Sequence, residues 1–581
     1  MNVAQQILKI LEEVGVTQIW GVTGDALNSF TDALQDNDAI KWNAVRHEEN
    51  GAFAACAEAQ MTGNLAVCAG TVGPGTLHLI NGLYNAKKES VPVLALSGQV
   101  EQVNQGTNYF QEVGLERIFD DICAYQAIVR TAEEAPRVVL RAIQIALQQQ
   151  GVVRVEVPVN IAKADAAGED FKHPVFRSHA RLVPSDKDIE AVADAINDAK
   201  KITILAGSGC QECRDEVLQL SEKIKAPIVH TLRSSDIFHK EDENVVGLTG
   251  LIGNPTGYQA VMQADLLLML GTDFPYSNFL PTDGKIIQID KRMENIGNRA
   301  KVDIGVHSDT LEALTRLLPK VEEKSKRKFL DHLTDKFKDW KAEKEENNDL
   351  EEDSEPLHPQ LFMQQINKMA SPDACFTVDV GESAIWVAHH LSLHSQRRLL
   401  GSFNHGSMSV GFPAAMGIQS VNPGRQVWAL VGDGAFGMCM NDFITAVRYN
   451  WPVKVLVFNN SQLGFVKIEM EEAGYAMADK ALALTNPNFA EYAKLCGGDG
   501  IRVEHAEDID RAIQMAIASP KPFIIDAVTN PGELSLPPNI TLQEAWGFGS
   551  SKVKEILLSV KGDKAQKNNL MEEIKSLIHK I

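Results

Sequence analysis

The sequence carries Gly432-Asp433-Gly434 at the end of one apolar run, residues 427–431, and Asn459-Asn460-Ser461-Gln462 at the end of the next, residues 453–458. Both runs are short and rich in valine and read as strands, and Ala435-Phe436-Gly437-Met438 reads as the start of a helix. Glycines let a backbone approach a phosphate closely, and a helix N-terminus favours its negative charge. Asp433 sits at that point as a hard oxygen ligand and would repel a bare diphosphate. A divalent cation removes the conflict, because Mg²⁺ takes oxygens from protein and phosphate together. Two neighbouring strand ends then offer a carboxylate and an amide oxygen, 27 positions apart at Asp433 and Asn460. The plainer alternative is a glycine turn and an ordinary strand-to-helix loop.

A second cluster is Arg46-His47-Glu48-Glu49-Asn50-Gly51-Ala52-Phe53-Ala54-Ala55, two carboxylates opening an alanine-rich helix. Acids favour a helix N-terminus, so a structural role alone accounts for them.

The elements that must position these groups follow an alternating pattern. Short apolar runs interleave with helical periodicity, the signature of parallel α/β units. Three doubly wound parallel-sheet domains are expected, over residues 1–180, 181–325 and 357–530. A charged linker is expected over 326–356, with 343–355 as a solvated acidic connector, and a C-terminal helical tail over 531–581. Within the linker Phe329, Leu333, Phe337 and Trp340 recur at helical spacing. Strands are expected at 19–22, 65–69, 93–96 and 152–157 in the first domain, and at 202–206, 228–232, 266–270 and 286–289 in the second. The third should hold strands at 375–378, 427–431, 453–458, 501–503 and 523–528. The second-domain strands end in Gly207-Ser208-Gly209, Arg233-Ser234-Ser235, Gly271-Thr272-Asp273 and Asp290, which suits a nucleotide at the carboxyl ends of an open sheet. That block has no G-x-G-x-x-G, so its composition does not distinguish FAD from another adenine nucleotide.

Charge and cysteine usage narrow the class. A net charge of −21 over 581 residues, without a basic cluster, argues against nucleic acid as a partner. It also predicts that phosphate is held by backbone N–H groups, helix ends and a metal rather than by Lys/Arg clusters. The eight cysteines are scattered, several in apolar runs, as in proteins that keep their thiols reduced. Cys210 and Cys213 form a lone C-x-x-C and read as incidental thiols rather than a redox or zinc pair. The N-terminus reads as an amphipathic helix rather than a signal peptide, and no run reaches 18 apolar residues, so a cytoplasmic chain is expected.

Taken together, the motifs resemble the thiamine-diphosphate family that contains pyruvate oxidase, acetolactate synthase and the quinone-reducing pyruvate dehydrogenases. Further stretches carry the likeness: Trp20-Gly21-Val22-Thr23-Gly24-Asp25, Gly73-Pro74-Gly75-Thr76-Leu77-His78, Pro92-Val93-Leu94-Ala95 and Tyr109-Phe110-Gln111-Glu112. Thr249-Gly250-Leu251-Ile252-Gly253, Phe274-Pro275-Tyr276, Phe403-Asn404-His405-Gly406-Ser407-Met408 and Asn460-Ser461-Gln462-Leu463-Gly464-Phe465-Val466 look most like the bacterial quinone-reducing branch. The resemblance implies a pyrimidine-binding first domain, an FAD-binding central domain and a diphosphate-binding third domain.

It also implies roles for single residues. Glu48 would contact the aminopyrimidine and drive proton transfer through the cofactor. Asp433, Asn460 and the Gln462 carbonyl would bind Mg²⁺. Gly381, Gly406, Ser407, Met408, Gly432, Gly434, Ala435, Leu463, Gly464, Phe465 and Val466 would meet thiamine diphosphate, with Met408 propping its rings. His78, Phe110, Gln111, Phe465 and Glu469 would surround the substrate. FAD would lie along Gly207, Arg233, Thr249, Gly250, Leu251 and Ile252, and along Thr272, Asp273, Phe274, Pro275, Tyr276 and Asp290. In this family the two halves of a site come from different subunits, so a homodimer is the minimum and a homotetramer the norm.

The implied reaction is oxidative decarboxylation of pyruvate to acetate and CO₂, with electrons passed to a membrane quinone. A phosphate-dependent oxidase making acetyl phosphate and H₂O₂ shares most of the motifs. Acetolactate synthase carries a tryptophan-containing segment after its Asn-Asn signature, whereas residues 465–470 here lack tryptophan. A non-catalytic relative would have lost Glu48, Asp433 or Asn460, and all three are present. Near the C-terminus Asn569 and Glu572 form a capping-box pattern ahead of Leu570, Met571, Ile574, Leu577, Ile578 and Ile581 on one helical face. Such a helix either packs on its own protein or lies on the inner face of a membrane as a peripheral contact.

Overall fold

A computed structural model describes residues 1–167, 180–350, 356–475 and 479–532, without the side chains of 346–350 and 479. The C-terminal helix expected around 569–581 lies outside these residues.

Three six-stranded sheets, every neighbouring pair parallel, form the frame. The first contains β1 (Gln18–Gly21), β2 (Lys41–Ala44), β3 (Ala66–Gly70), β4 (Val93–Gln99), β5 (Tyr125–Ile128) and β6 (Val152–Pro158). The second contains β7 (Ile202–Ala206), β8 (Ile228–His230), β9 (Val245–Leu248), β10 (Leu266–Leu270), β11 (Lys285–Asp290) and β12 (Ile304–His307). The third contains β13 (Cys375–Val378), β14 (Arg398–Gly401), β15 (Val427–Gly432), β16 (Lys454–Asn459), β17 (Asp499–Val503) and β18 (Phe523–Val528).

The first and third sheets share one strand order, β2-β1-β3-β4-β6-β5 and β14-β13-β15-β16-β18-β17. The second runs β9-β8-β7-β10-β11-β12, the order of dinucleotide-binding sheets. In each case the order reverses beside the first strand of the unit and opens a crevice at the strand ends. Gly432 and Asp433 stand at such a reversal, between β13 and β15.

Burial explains the composition of the helix Glu48–Thr62. Residues 50–59 are buried almost without interruption, as a helix apolar on all faces must be. One side packs on the first sheet and the other on the helix Gly411–Val421 of the third unit. A Cβ at Gly417 would overlap the Ala54 carbonyl oxygen, so the small side chains set the helix separation. One apolar core runs through both units, from Trp20 and Phe53 to Phe412, Phe436 and Phe443. Polar ties reinforce it: the Asp442 carboxylate accepts from Arg46 N (2.7 Å) and Asn50 Nδ2 (2.6 Å). Arg233 pairs with Glu89 (2.8 Å) and Arg398 with Asp236 (2.7 Å), joining the central unit to the other two.

The segment read as a linker differs from expectation. A helix spans Lys328–Leu350, so residues 343–350 of the expected connector are helical, and 351–355 lie outside the described residues. Leu333 and Phe337, predicted at helical spacing, are buried against the central sheet together with Val261 and Leu267. The N-terminal segment is a helix, Val3–Glu13, closed by a reciprocal capping box between Asn2 and Gln5. Among the described residues no helix is long and apolar enough to cross a membrane.

Candidate active site

The expected residues fall into three groups. The first lies at the ends of β2 and β3. His47 caps the helix Glu48–Thr62, its Nδ1 accepting from Glu49 N at 3.3 Å. This places Glu48 in the first turn, where the helix end favours its charge. The carboxylate is buried at 6% exposure, and its Oε2 lies 2.9 Å from His78 Nδ1. The His78 ring stacks on His47 with centroids 4.5 Å apart. Glycine at 75 leaves room beside Glu48, since a Cβ there would lie 3.0 Å from Oε1. Gly73 adopts φ +63°, and its missing side chain admits the Gln111 carbonyl, which brings Gln111 to the same strand end. Phe110, next in sequence, is 77% exposed.

The second group lies where β15 and β16 end side by side, Gly432 opposite Phe458. Asp433 begins the helix Asp433–Cys439 and is buried. Its Oδ2 accepts from Ser461 N (2.7 Å) and Asn486 Nδ2 (2.7 Å), and its Oδ1 from Gly434 N (2.8 Å). Burial pushes this carboxyl up to about 6, against the lowering effect of those hydrogen bonds. Among the described residues no Lys or Arg pairs with it. Asn460 donates from Nδ2 to Glu382 Oε2 at 2.6 Å and accepts from Gln462 N at 3.2 Å through Oδ1. The Gln462 side chain donates to the Pro531 carbonyl. Gly434 faces Leu463, Leu484 and Met408, and a Cβ on it would crowd the first two. Ser407 accepts from Asn81 Nδ2 at 2.9 Å, which sets the 405–409 loop against the first unit.

This set fits a diphosphate–metal group. A buried carboxylate without a protein cation, beside an amide oxygen and a glycine-lined helix start, is a hard donor set suited to Mg²⁺. Among the described residues no group of three or more His, Cys, Asp or Glu is placed to hold a metal. Asn486 and Glu382 were not foreseen. Neither belongs to a motif, and only tertiary contact brings them to Asp433 and Asn460.

The third group lines a groove of about 890 Å³ where the central unit meets the first and third units. Arg233, Thr249, Gly250, Leu251, Ile252, Thr272, Asp273, Phe274, Pro275, Tyr276 and Asp290 line it, as do Gly381, Gly406 and Phe465 from the third unit. Gly207 does not; a Cβ there would overlap the Gly271 carbonyl, so its role is close backbone approach. Thr249 Oγ1 is buried without a partner, as a donor reserved for a ligand would be. Asp290 accepts from Arg292 N at 2.8 Å and from Asn295 Nδ2 at 3.2 Å at the end of β11. His389 Nε2 meets the Ile252 and Gly253 carbonyls at 3.1 and 3.2 Å and fixes this loop to the third unit.

Five arginines, 181, 233, 292, 299 and 398, also reach the groove, contrary to the expectation that phosphate would find no arginine cluster. They come from separate segments, and most are paired with acids, Arg299 with Asp273 at 3.1 Å for instance. On the far wall Phe465 packs against the same core as Ile252 and Phe403. Glu469 lies close enough that its charge adds to burial in pushing the Tyr276 hydroxyl up. Val466 is 42% exposed. Cys210 and Cys213 are buried just beyond the end of β7, Cys213 in the lining of the groove, and their mutual hydrogen bond together with burial pushes the Cys210 thiol up, away from the reactive thiolate.

Three parallel-sheet units, with a carboxylate at one helix start and a metal–diphosphate donor set at a sheet reversal, define an enzyme that works through a diphosphate-bearing cofactor. Residues 1–118, 189–317 and 379–527 match the N-terminal TPP binding, central and C-terminal TPP binding domains of thiamine pyrophosphate enzymes. The chain belongs to the thiamine pyrophosphate enzyme family. It is 36% identical over 556 residues, 95% of each chain, to YdaP of Bacillus subtilis, described as thiamine pyrophosphate-containing. It is 32% identical over 543 residues to a pyruvate oxidase of Lactiplantibacillus plantarum, covering 91% of this chain and 89% of the other. Against an acetolactate synthase of Mycobacterium bovis it is 29% identical over 551 residues, covering 90% and 87%.

Proposed function

We propose that the protein oxidatively decarboxylates pyruvate to acetate and CO₂ with thiamine diphosphate, Mg²⁺ and FAD, and passes the electrons to a quinone. The observation that carries this reading is the continuous groove. It joins Gly381, Gly406 and Phe465 beside the metal–diphosphate donor set to Thr249, Phe274, Tyr276 and Asp290 at the ends of a dinucleotide-type sheet. When bound, thiamine diphosphate supplies a carbon nucleophile and electron sink for a 2-keto acid, and FAD a two-electron acceptor.

The chain's own groups divide the remaining work. Asp433, Asn460 and the Gln462 carbonyl hold the cation, and Gly432, Gly434 and the helix start beyond them receive the diphosphate. Glu48 carries a proton on Oε1 toward the aminopyrimidine, while its Oε2 is held by His78. Phe465 and Glu469 would wall the substrate on the side of the third unit, and Gln111 and Phe110, which stand with Glu48 at the first-unit strand end, would close the other side together with Glu48. The likeness to pyruvate oxidase and acetolactate synthase supports a homo-oligomer in which Glu48 of one subunit serves the metal site of another.

The absence of tryptophan from 465–470 favours oxidation over condensation with a second keto acid. The likeness to a pyruvate oxidase keeps phosphate and O₂ as the rival ending. Turnover of the reconstituted full-length protein with pyruvate separates them. Acetate formed at a rate set by added quinone supports the proposal. Acetyl phosphate with H₂O₂ replaces it by the phosphate-dependent oxidase, and acetolactate as the main product overturns it.

A further inference from the structure

Two residues outside the signature hold the expected cation ligands by their far ends. Asn486 Nδ2 bridges Asp433 Oδ2 (2.7 Å) and Asn459 Oδ1 (3.0 Å), so one amide ties the ends of β15 and β16 together. With Ser461 N also on Oδ2, the second oxygen, Oδ1, is the less committed one. Glu382 acts on the other ligand. Its Oε2 accepts from Asn460 Nδ2 at 2.6 Å, which holds the nitrogen end of that amide away and leaves Oδ1, an acceptor with a second lone pair beyond its 3.2 Å contact with Gln462 N, as the end able to ligate. Glu382 is itself wedged in place: a Cβ at Gly464 would overlap its carboxylate, so the start of the helix Gly464–Glu472 closes directly over it. That helix end also favours the carboxylate's charge.

We propose that Asn486 and Glu382 are positioning residues for the divalent cation, Asn486 orienting Asp433 and Glu382 orienting Asn460. The inference rests on the reading of Asp433 and Asn460 as cation ligands. Without Glu382 the Asn460 amide is able to turn its NH₂ group toward the cation. Without Asn486 the Asp433 carboxylate loses the donor that sets its rotation. Groups that orient metal ligands from behind change metal affinity by roughly 10- to 100-fold.

The test uses full-length protein stripped of metal, with thiamine diphosphate present at fixed concentration and Mg²⁺ titrated. Cofactor binding is followed by quenching of intrinsic tryptophan fluorescence, without turnover. N486A and E382L should each raise the Mg²⁺ needed for half-saturation by about 10-fold or more. E382Q keeps an acceptor for Asn460 Nδ2 and should stay within about three-fold of wild type, a rescue that a merely structural role does not predict. D433A separates the two levels of the claim. If wild type binds the cofactor without Mg²⁺, or D433A binds it normally, the cation-site reading itself fails. If D433A loses binding while N486A and E382L titrate like wild type, the positioning inference alone is overturned. Should E382L not fold, as judged by circular dichroism, E382T replaces it, its side chain being too short to reach Asn460. Wild-type titration by E382T would equally overturn the inference.

Discussion

Glu48 Oε2 and His78 Nδ1 meet at 2.9 Å, the carboxylate buried and the imidazole half in solvent. The pair leaves one carboxyl oxygen of Glu48 for the cofactor and sets its rotation. Glu48→Gln keeps the size and loses the transferable proton. Turnover with pyruvate should fall by about 100-fold or more, the usual range for a general acid–base group. Mg²⁺-dependent cofactor binding should change little, because Asp433 and Asn460 are untouched. Near-normal turnover would remove Glu48 from the chemistry.

Gly464 and Glu382 make a second, opposite kind of prediction, in which adding one methyl group is the perturbation. Gly464→Ala places a Cβ on the Glu382 carboxylate and pushes it off Asn460. Half-saturation by Mg²⁺ should move to higher concentration, and G464A combined with E382T should be no worse than E382T alone, because the two act through one contact. Additive losses would show that Gly464 acts otherwise.

Glu58 gives a pH dependence with a definite sign. Burial pushes its carboxyl from 4.5 up to about 7, against hydrogen bonds from Trp20 Nε1 and Gln18 Nε2 that lower it. A carboxyl raised in this way binds its proton more tightly when folded than unfolded. Stability therefore falls as pH rises from about 4.5 to about 7 and is flat above that. Glu58→Gln abolishes this titration and keeps an oxygen acceptor. Its stability relative to wild type should improve by about 1–3 kcal/mol between pH 5 and pH 8, measured by denaturant unfolding at each pH. A constant or declining difference would contradict the assignment.

Gly417 tests the interface between the first and third units. Gly417→Val drives a side chain into the Ala54 carbonyl and should cost about 1–3 kcal/mol, lowering the thermal midpoint by several degrees. Gly424→Val meets nothing within 4 Å and should leave it nearly unchanged. Equal midpoints would mean that the two helices separate without penalty.

What the sequence revealed and what it hid follow from burial. Strands packed on both faces read as unbroken apolar runs, so 202–206, 266–270, 375–378 and 523–528 are strands to the residue. The strands not foreseen, β2, β5, β9, β12 and β14, are all at sheet edges. Edge strands are short and half covered, as in the partly exposed Lys41–Ala44, or broken by a glycine at φ +101°, as at Gly247 in β9. The helix Lys328–Leu350 was half visible: its apolar spacing showed, but its acidic exposed face looked like a connector. The Gly432–Gly434 and Asn459–Asn460 pair was legible because two strand ends supply it in sequence order. Asn486, Glu382 and the groove arginines were not, because each reaches its place only through the fold.

The most direct measurement mixes the reconstituted protein with pyruvate in the absence of oxygen and follows the flavin absorbance. Rapid bleaching of bound FAD, in step with release of one CO₂, and recovery of colour on adding quinone are the predicted results. A flavin that stays oxidised while pyruvate is consumed, or protein that binds no flavin at all, would contradict the account.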